Sequence, residues 1–387
     1  YLISLLQFLS YKRYSNIFNI MPCKNKQNRL NCTIKLKTEP CTSILYRLRL
    51  QLFTILLTKQ LYSITAIKLI QLYFLIINIY MKSIFTSLLL FLIITDALGQ
   101  KNEAYKQEEI IYARHFGMAL TTTMVKPARP NGYGIISVVS GSWVSEYRWV
   151  KNAIEGAKPL LDAGYTLFFT LHSSAPRFDI AVAADDVKHA IQYIRYNAKK
   201  YEILADKIGI TGTSSGGHLA LLAGTSDDIE NTHASDPVEQ VSAKVQAVAV
   251  FCPPTDFLNW GKPGYFPVNQ KLLLKMMGVA GAFEFMRYDS LKRIYAPIED
   301  TAIINKLAIS LSPAQLVTAD DAPTLIIQGD KDRLVPVQQS ERMKEEMGKK
   351  QIPVSVQYKQ GAEHTWQNMA EERKEFVKWF DHYLRGK

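Results

Sequence analysis

The stretch Ile208–Ala220, "IGITGTSSGGHLA", limits what this chain can fold into more than any other. A short apolar run ends in Gly212-Thr213-Ser214-Ser215-Gly216, and a helix-forming apolar run leaves it. The pattern G-x-S-x-G between a strand and a helix is that of a nucleophile elbow, a sharp turn that lifts a serine hydroxyl clear of a sheet. Its glycines sit where a Cβ would clash. In that arrangement the Ser215 N–H points at the oxygen of a reacting carbonyl, close to a helix N-terminus that favours developing negative charge. The competing reading is a Gly/Ser turn in which Ser214 or Ser215 only caps the helix.

The surrounding pattern is an alternation. Strand-like runs fall at Gly134–Val139, Tyr165–Leu171, Lys207–Gly212, Val245–Phe251, Thr324–Gln328 and Val354–Tyr358. Ile110–Thr123 reads as one strand or a hairpin arm. Helical spacing appears over Trp149–Asp162, Ala184–Tyr201, Gly216–Ala223, Val337–Met347 and Met369–Leu384. Strands alternating with helices predict an α/β protein, a mostly parallel sheet with helices on both faces. Short, continuously apolar strands suit burial on both sides. The segment at about 253–322 interrupts the rhythm, with helical stretches expected at Gln270–Met277 and Phe283–Ile294. It is either a lid over a site or a structural excursion.

A serine hydroxyl is a weak nucleophile until a base takes its proton. On a sheet of this kind the acid and the histidine follow the serine in the chain, at the carboxyl ends of later strands. After the strand at 324–328 comes Gly329-Asp330-Lys331-Asp332, and after that at 354–358 comes Gly361-Ala362-Glu363-His364. His364 is the candidate base and Asp332 the carboxylate that orients it, with Asp330 as rival acid. His218, on the elbow helix, reads as a packing or hydrogen-bonding residue, and Asp256 in "PTDF" as a helix cap. Arg177 and His172 follow the strand at 165–171 and are candidates for the cleft edge.

Charge argues against a nucleic-acid partner. The net charge is +11, but 12 of the 46 Lys and Arg residues and only two of the 35 Asp and Glu residues, Glu39 and Asp96, lie within residues 1–99. That leaves 34 basic and 33 acidic side chains in the remainder, a nearly neutral body. Residues 1–80 contain no Gly and no Asp, and are crowded with Ile, Leu, Tyr, Asn and Lys. This is the composition of AT-rich non-coding sequence read in frame, so translation is expected to start at Met81. From there Lys82, the apolar run Ile84–Thr95 and Ala97-Leu98-Gly99 before Gln100 follow the pattern of a cleaved export signal, residues 81–99. The alternative is a membrane anchor over Leu69–Thr95. Cys23, Cys32 and Cys41 lie in the leader, so the body (100–387) keeps Cys252 alone, and no Cys/His spacing suggests a metal site.

Taken together, "DDVKHAIQYIRYNAKKYEILADKIGITGTSSGGHLA" (Asp185–Ala220), "PPTDF" (Pro253–Phe257), "GDKDRLVP" (Gly329–Pro336) and "GAEHTW" (Gly361–Trp366) resemble the α/β-hydrolase fold. Within it the chain is most similar to the secreted acetyl-esterase/lipase-like group with feruloyl-esterase-type domains, near the prolyl oligopeptidase catalytic domain. The resemblance spans about Ile110 to Leu384. It implies a secreted serine hydrolase of carboxylic esters with short acyl groups, small molecules or ester-decorated polysaccharides, needing no metal or organic cofactor and keeping no membrane association after signal cleavage. It puts the acid on Asp332. It also marks a departure: where relatives carry H-G-G-x-W, this chain has Val139-Ser140-Gly141-Ser142-Trp143. The oxyanion donors expected are the backbone N–H groups of Ser215 and of Gly141 or Ser142. Trp143, Trp260, Tyr265 and Phe266 are candidate pocket residues, set against plain packing roles. A peptidase of the prolyl oligopeptidase type and a non-catalytic binding protein on the same fold are the alternatives.

Overall fold

The computed structural model describes residues 41–99, 105–115 and 117–387. The chain divides into two units, Tyr1–Gly99 and Gln100–Lys387. In the first, Cys41–Gly99 is a single helix, α1, whose stretch Leu50–Leu89 is long and apolar enough to cross a membrane. Residues 1–40, with Cys23 and Cys32, and the expected cleavage point at Gln100 lie outside the described residues.

The second unit is built on an eight-stranded sheet. Its strands in chain order are β1 (Tyr105–His115), β2 (Met118–Pro127), β3 (Gly134–Val138), β4 (Thr166–Thr170), β5 (Ile208–Thr213), β6 (Ala247–Phe251), β9 (Thr324–Gly329) and β10 (Val354–Lys359). A separate hairpin supplies β7 (Met286–Asp289) and β8 (Ile294–Pro297). The sheet order is β1-β2-β4-β3-β5-β6-β9-β10. From β4 to β10 all pairings are parallel, while β1 and β2 form an antiparallel hairpin at one edge. The expected α/β architecture is therefore present.

The central strands are apolar on both sides because both sides are covered. β3, β4, β5, β6 and β9 are buried almost throughout. One face packs Ile136, Phe168, Ile210 and Val248 against α4 (Ile180–Tyr196), α5 (Ala198–Tyr201) and α6 (Ser215–Thr225); the other packs Ile135, Phe169 and Ala249 against α11 (Met369–Arg385). Each such Leu, Ile or Phe side chain contributes about 1.5–3 kcal/mol by leaving water. Helix α4 buries Ile180, Ala183, Ala184, Val187, Ala190, Ile191 and Ile194, a stripe at helical spacing. It starts four residues before the sequence expectation because the Asp179 carboxylate accepts from the N–H groups of Ala181 (3.0 Å) and Val182 (3.2 Å).

Two expectations need correction. Trp149–Asp162 is not one helix but a 3₁₀ turn followed by α2 (Val150–Gly156) and α3 (Lys158–Asp162). Pro159 in the first turn of α3 has no N–H to continue the helix before it. Phe283–Ile294 is not helical: the chain forms the β7–β8 hairpin there. Asp289 Oδ1 accepts from the N–H groups of Leu291 and Lys292, each at 3.0 Å, closing a turn that competes with helix, and Arg293 has φ +56°. The helices of the segment 253–322 are α7 (Lys271–Met276), α8 (Thr301–Ser310) and α9 (Pro313–Leu316). α10 (Gln338–Lys349) follows β9.

Candidate active site

The parallel register brings the carboxyl ends of β3, β5, β6 and β9 together, so the residues that follow them form one rim. Ser214 follows β5 at φ +54°, ψ −121°. That backbone is held by its neighbours: Ser214 N–H donates to the Phe251 carbonyl at 2.9 Å. The flanking glycines are sterically required. A Cβ on Gly212 would lie 2.3 Å from the carbonyl carbon and oxygen of Gly216, and one on Gly216 2.6 Å from the Val138 oxygen. Ser215 is the first residue of α6, so its N–H has no intrahelical acceptor.

The loop after β10 brings His364 over Ser214. Nε2 of His364 lies 2.9 Å from Ser214 Oγ, and Nδ1 lies 2.8 Å from Asp332 Oδ2. A proton on Nδ1 donated to the carboxylate leaves Nε2 as an acceptor facing the serine hydroxyl. The Asp332 side chain is fully buried, and His364 keeps 17% of its side chain exposed. Four donors converge on the carboxylate. Leu334 and Val335 N–H each reach Oδ1 at 2.9 Å, while Gln328 Nε2 (3.3 Å) joins His364 at Oδ2. Gln328 is aimed by its second bond, to the Val335 carbonyl at 2.7 Å, and by a bond from Ser340 Oγ. Asp330, the rival acid, instead accepts from Gly361 N–H at 2.7 Å and ties down the His364 loop.

The segment after β3 is a tight turn closed by two 2.9 Å bonds between Gly141 and Val144. Gly141 therefore spends its N–H on the Val144 carbonyl, so of the two expected donors it is the one tied up within the turn. Ser142 (φ +52°) and Trp143 (φ +58°) both adopt left-handed backbone, uncommon for residues with a Cβ. Trp143 is held twice: its carbonyl accepts from Ala175 N–H (3.1 Å) and its indole N–H donates to His218 Nδ1 (3.2 Å). His218 Nε2 in turn donates to the Leu311 carbonyl at 2.8 Å. Burial pushes the His218 pKa down to about 4, so the imidazole is neutral with its proton on Nε2. Ser140 and Ser215 hydroxyls bond each other at 3.0 Å.

A cavity opens beside Ser214. Trp143 and Trp260 line it, with Ser142, Ser215, Phe257 and Phe283 among the other residues. Tyr265 and Phe266 do not line it. The Tyr265 hydroxyl donates to Gln270 Oε1 (3.2 Å) and its ring lies 5.4 Å from Lys262 Nζ, while Phe266 packs on the core. Phe257 and Phe283 were not among the expected pocket residues: Phe257 stood only as the end of "PPTDF", and Phe283 as the start of an expected helix. Asp256 is no simple cap: it is fully buried, accepting from Leu258 N–H, Asn259 and Gln315 at 2.8–2.9 Å. His172 is buried with Nδ1 on the Ser173 carbonyl (2.8 Å), and Arg177 lies over Phe178.

Among the described residues, one group has a metal-like donor set: Cys252, Asp332 and His364, with ligand atoms within 4.8 Å of one another. Its chemistry does not suit a resident cation. Burial pushes the Cys252 thiol up to about 12, and it donates to the His364 carbonyl at 3.4 Å, while Asp332 and His364 satisfy each other.

A family model described as BD-FAE matches residues 125–347. The esterase LipQ of Mycobacterium tuberculosis is 27% identical over 219 residues, 53% of this chain and 43% of that protein. An acetylxylan esterase of Xylanibacter ruminicola is 29% identical over 106 residues, 27% of this chain and 21% of its own length. The chain thus spans less than half the length of either relative. Among solved structures, the acetyl ester-xyloside bifunctional hydrolase of Caldicellulosiruptor lactoaceticus superposes with a TM-score of 0.54 at 20% identity, covering 71% of this chain and 95% of that one. That likeness is one of fold, and it agrees with the strand order above. Matched over more than half its length, the chain belongs to the BD-FAE family and has the α/β-hydrolase fold.

Proposed function

We propose that the protein is an exported serine hydrolase of carboxylic esters. The observation that carries the reading is the continuous path Ser214 Oγ–His364 Nε2 (2.9 Å) and His364 Nδ1–Asp332 Oδ2 (2.8 Å), set at a strand-to-helix elbow. Ser214 Oγ attacks the ester carbonyl while its proton passes to His364 Nε2. The tetrahedral oxyanion accepts from the backbone N–H groups of Ser215 and Ser142. Asp332 holds the imidazolium, and Nε2 then gives its proton to the departing alcohol as the C–O bond breaks. Water, activated by the same nitrogen, releases the acid and restores Ser214. The relatives named as esterases support ester substrates, and the acetylxylan esterase supports ester-decorated polysaccharide among them.

Export rests on the signal-like sequence Met81–Gly99, with cleavage before Gln100. The enzymatic reading is tested by p-nitrophenyl acetate hydrolysis with the purified protein and its Ser214→Ala variant. The expected loss is on the order of 10⁶ in turnover. Equal rates in the two, or cleavage of a dipeptide amide with no ester turnover, would remove it.

A further inference from the structure

We infer that the tip of the β7–β8 ribbon is a docking surface for an anionic lipid membrane. This goes beyond the ester-hydrolase reading and does not depend on it. It departs from the sequence expectation of no lasting membrane association. From Met286 to Pro297 no residue of the ribbon is buried, on either face. Met286, Tyr288, Ile294 and Tyr295 are all exposed, and Leu291 in the turn is 95% exposed. A two-stranded ribbon is marginally stable at best in water. Apolar side chains clustered on its outside mark a surface that meets a protein or a membrane.

Charge selects the occupant. The register pairs Asp289 with Ile294 nearest the turn and Met286 with Pro297 at the root. Arg287, Lys292 and Arg293 lie on the outer part with one carboxylate, Asp289, which pairs with Lys292 at 3.6 Å. Among the described residues, Arg287 and Arg293 pair with no carboxylate. The exposed Glu284 and Glu299 flank the root. They lie about 15 Å from the tip at ~3.4 Å per residue, beyond the reach of about 10 Å that exposed charge has at about 0.1 M salt. A basic, apolar tip fits anionic headgroups above acyl chains: the cations are attracted, and the Leu and Tyr side chains enter the interface. A second copy fits less well, because an isologous contact sets the same cations against one another. A sugar chain also fits less well. The rings of Tyr288 and Tyr295, 5.4 Å apart, are tilted by 56° and make no flat platform. Helix α7 of the same insert repeats the composition, with Leu272 and Met276 exposed one turn apart beside the exposed Lys271 and Lys275.

The test is the tryptophan emission of Leu291→Trp in the full chain, read as the difference from the parent, with phosphatidylglycerol vesicles, phosphatidylcholine vesicles or neither. The reporter sits at the tip, so insertion of α1 alone leaves the difference unmoved. The expected result is a shift to shorter wavelength with phosphatidylglycerol, weakened as salt rises from about 0.1 to about 1 M, and none with phosphatidylcholine. Each basic side chain at an anionic surface is worth about fivefold, so Arg287→Glu with Arg293→Glu is expected to lower the inserted-to-free ratio of the tip about 25-fold or more. No shift with either vesicle, or equal shifts that survive both charge reversals, would overturn the proposal. A shift that grows with protein concentration in the absence of vesicles would assign the tip to a second copy. A shift with soluble xylan and none with vesicles would assign it to a polysaccharide. Either would overturn membrane docking.

Discussion

The imidazole of His218 joins the turn after β3 to the end of α8. It accepts from Trp143, 75 residues before it, and donates to Leu311, 93 residues after it. Both bonds require the neutral ring, and burial keeps it neutral down to about pH 4. In the unfolded chain the same group takes its proton near pH 6.5. Between those values the unfolded state binds a proton that the folded state refuses. Stability is therefore undiminished above pH 6.5 and falls as pH drops toward 4, by on the order of 3 kcal/mol over the window. His218→Gln cannot titrate, so its plot of Tm against pH is expected to lack this slope; an unchanged slope would show that other groups carry it. Because Trp143 loses a tether next to Ser142, the same variant is expected to lose roughly 10- to 100-fold in kcat with little change in KM. Equal losses at every stage of purification and a collapsed Tm at pH 8 would mark a folding role alone. Ser214, Asp332 and His364 were legible in the sequence because each sits in a short local pattern just past an apolar strand. The role of His218 was not, since both partners are distant in the chain. Nor was the engagement of the Gly141 N–H, because a turn bond to Val144 leaves no signature in residue type.

At the scale of elements, legibility followed periodicity. The seven strands read as apolar runs were found within a residue or two of their expected ends, apart from Ile110–Thr123, read as one strand or a hairpin arm, which holds parts of both β1 and β2. The insert resisted because its short elements are decided by turn chemistry, as at Asp289, and by packing around the cavity. Gly329 shows what an element end contributes to the site. It closes β9, and a Cβ there would lie 2.2 Å from the Glu363 oxygen and 2.3 Å from that of Ala362. These are backbone atoms of the loop that carries His364, so Gly329→Ala must push that loop outward while leaving Ser214 and Asp332 in place. Displacing a catalytic group by about 1 Å costs on the order of 10² in rate. The expected outcome is a loss of that size in kcat, with far-UV circular dichroism unchanged. Parent-like kcat would mean that the loop absorbs the methyl group without moving His364.

For the whole molecule, charge and apolar patterning divide the chain at the same place. Among the described residues, every buried member of the three core clusters lies between Ile110 and Leu384. The body is nearly neutral, whereas residues 1–99 hold 12 basic side chains and two acidic ones around a helix apolar enough to cross a membrane. A unit with its own hydrophobic core can fold alone. Residues 100–387 alone are therefore expected to unfold in one cooperative transition and to hydrolyse p-nitrophenyl acetate at the rate of the full protein, as calorimetry and initial rates would measure. The export reading adds that N-terminal sequencing of the secreted protein begins at Gln100. These two measurements separate the possible roles of the first 99 residues. A folded, active body with an intact native N-terminus would make the helix an anchor rather than a signal. A body that fails to fold alone would make those residues part of the domain, and the division of charge and hydrophobicity at Gly99 would then need a cause other than a structural boundary.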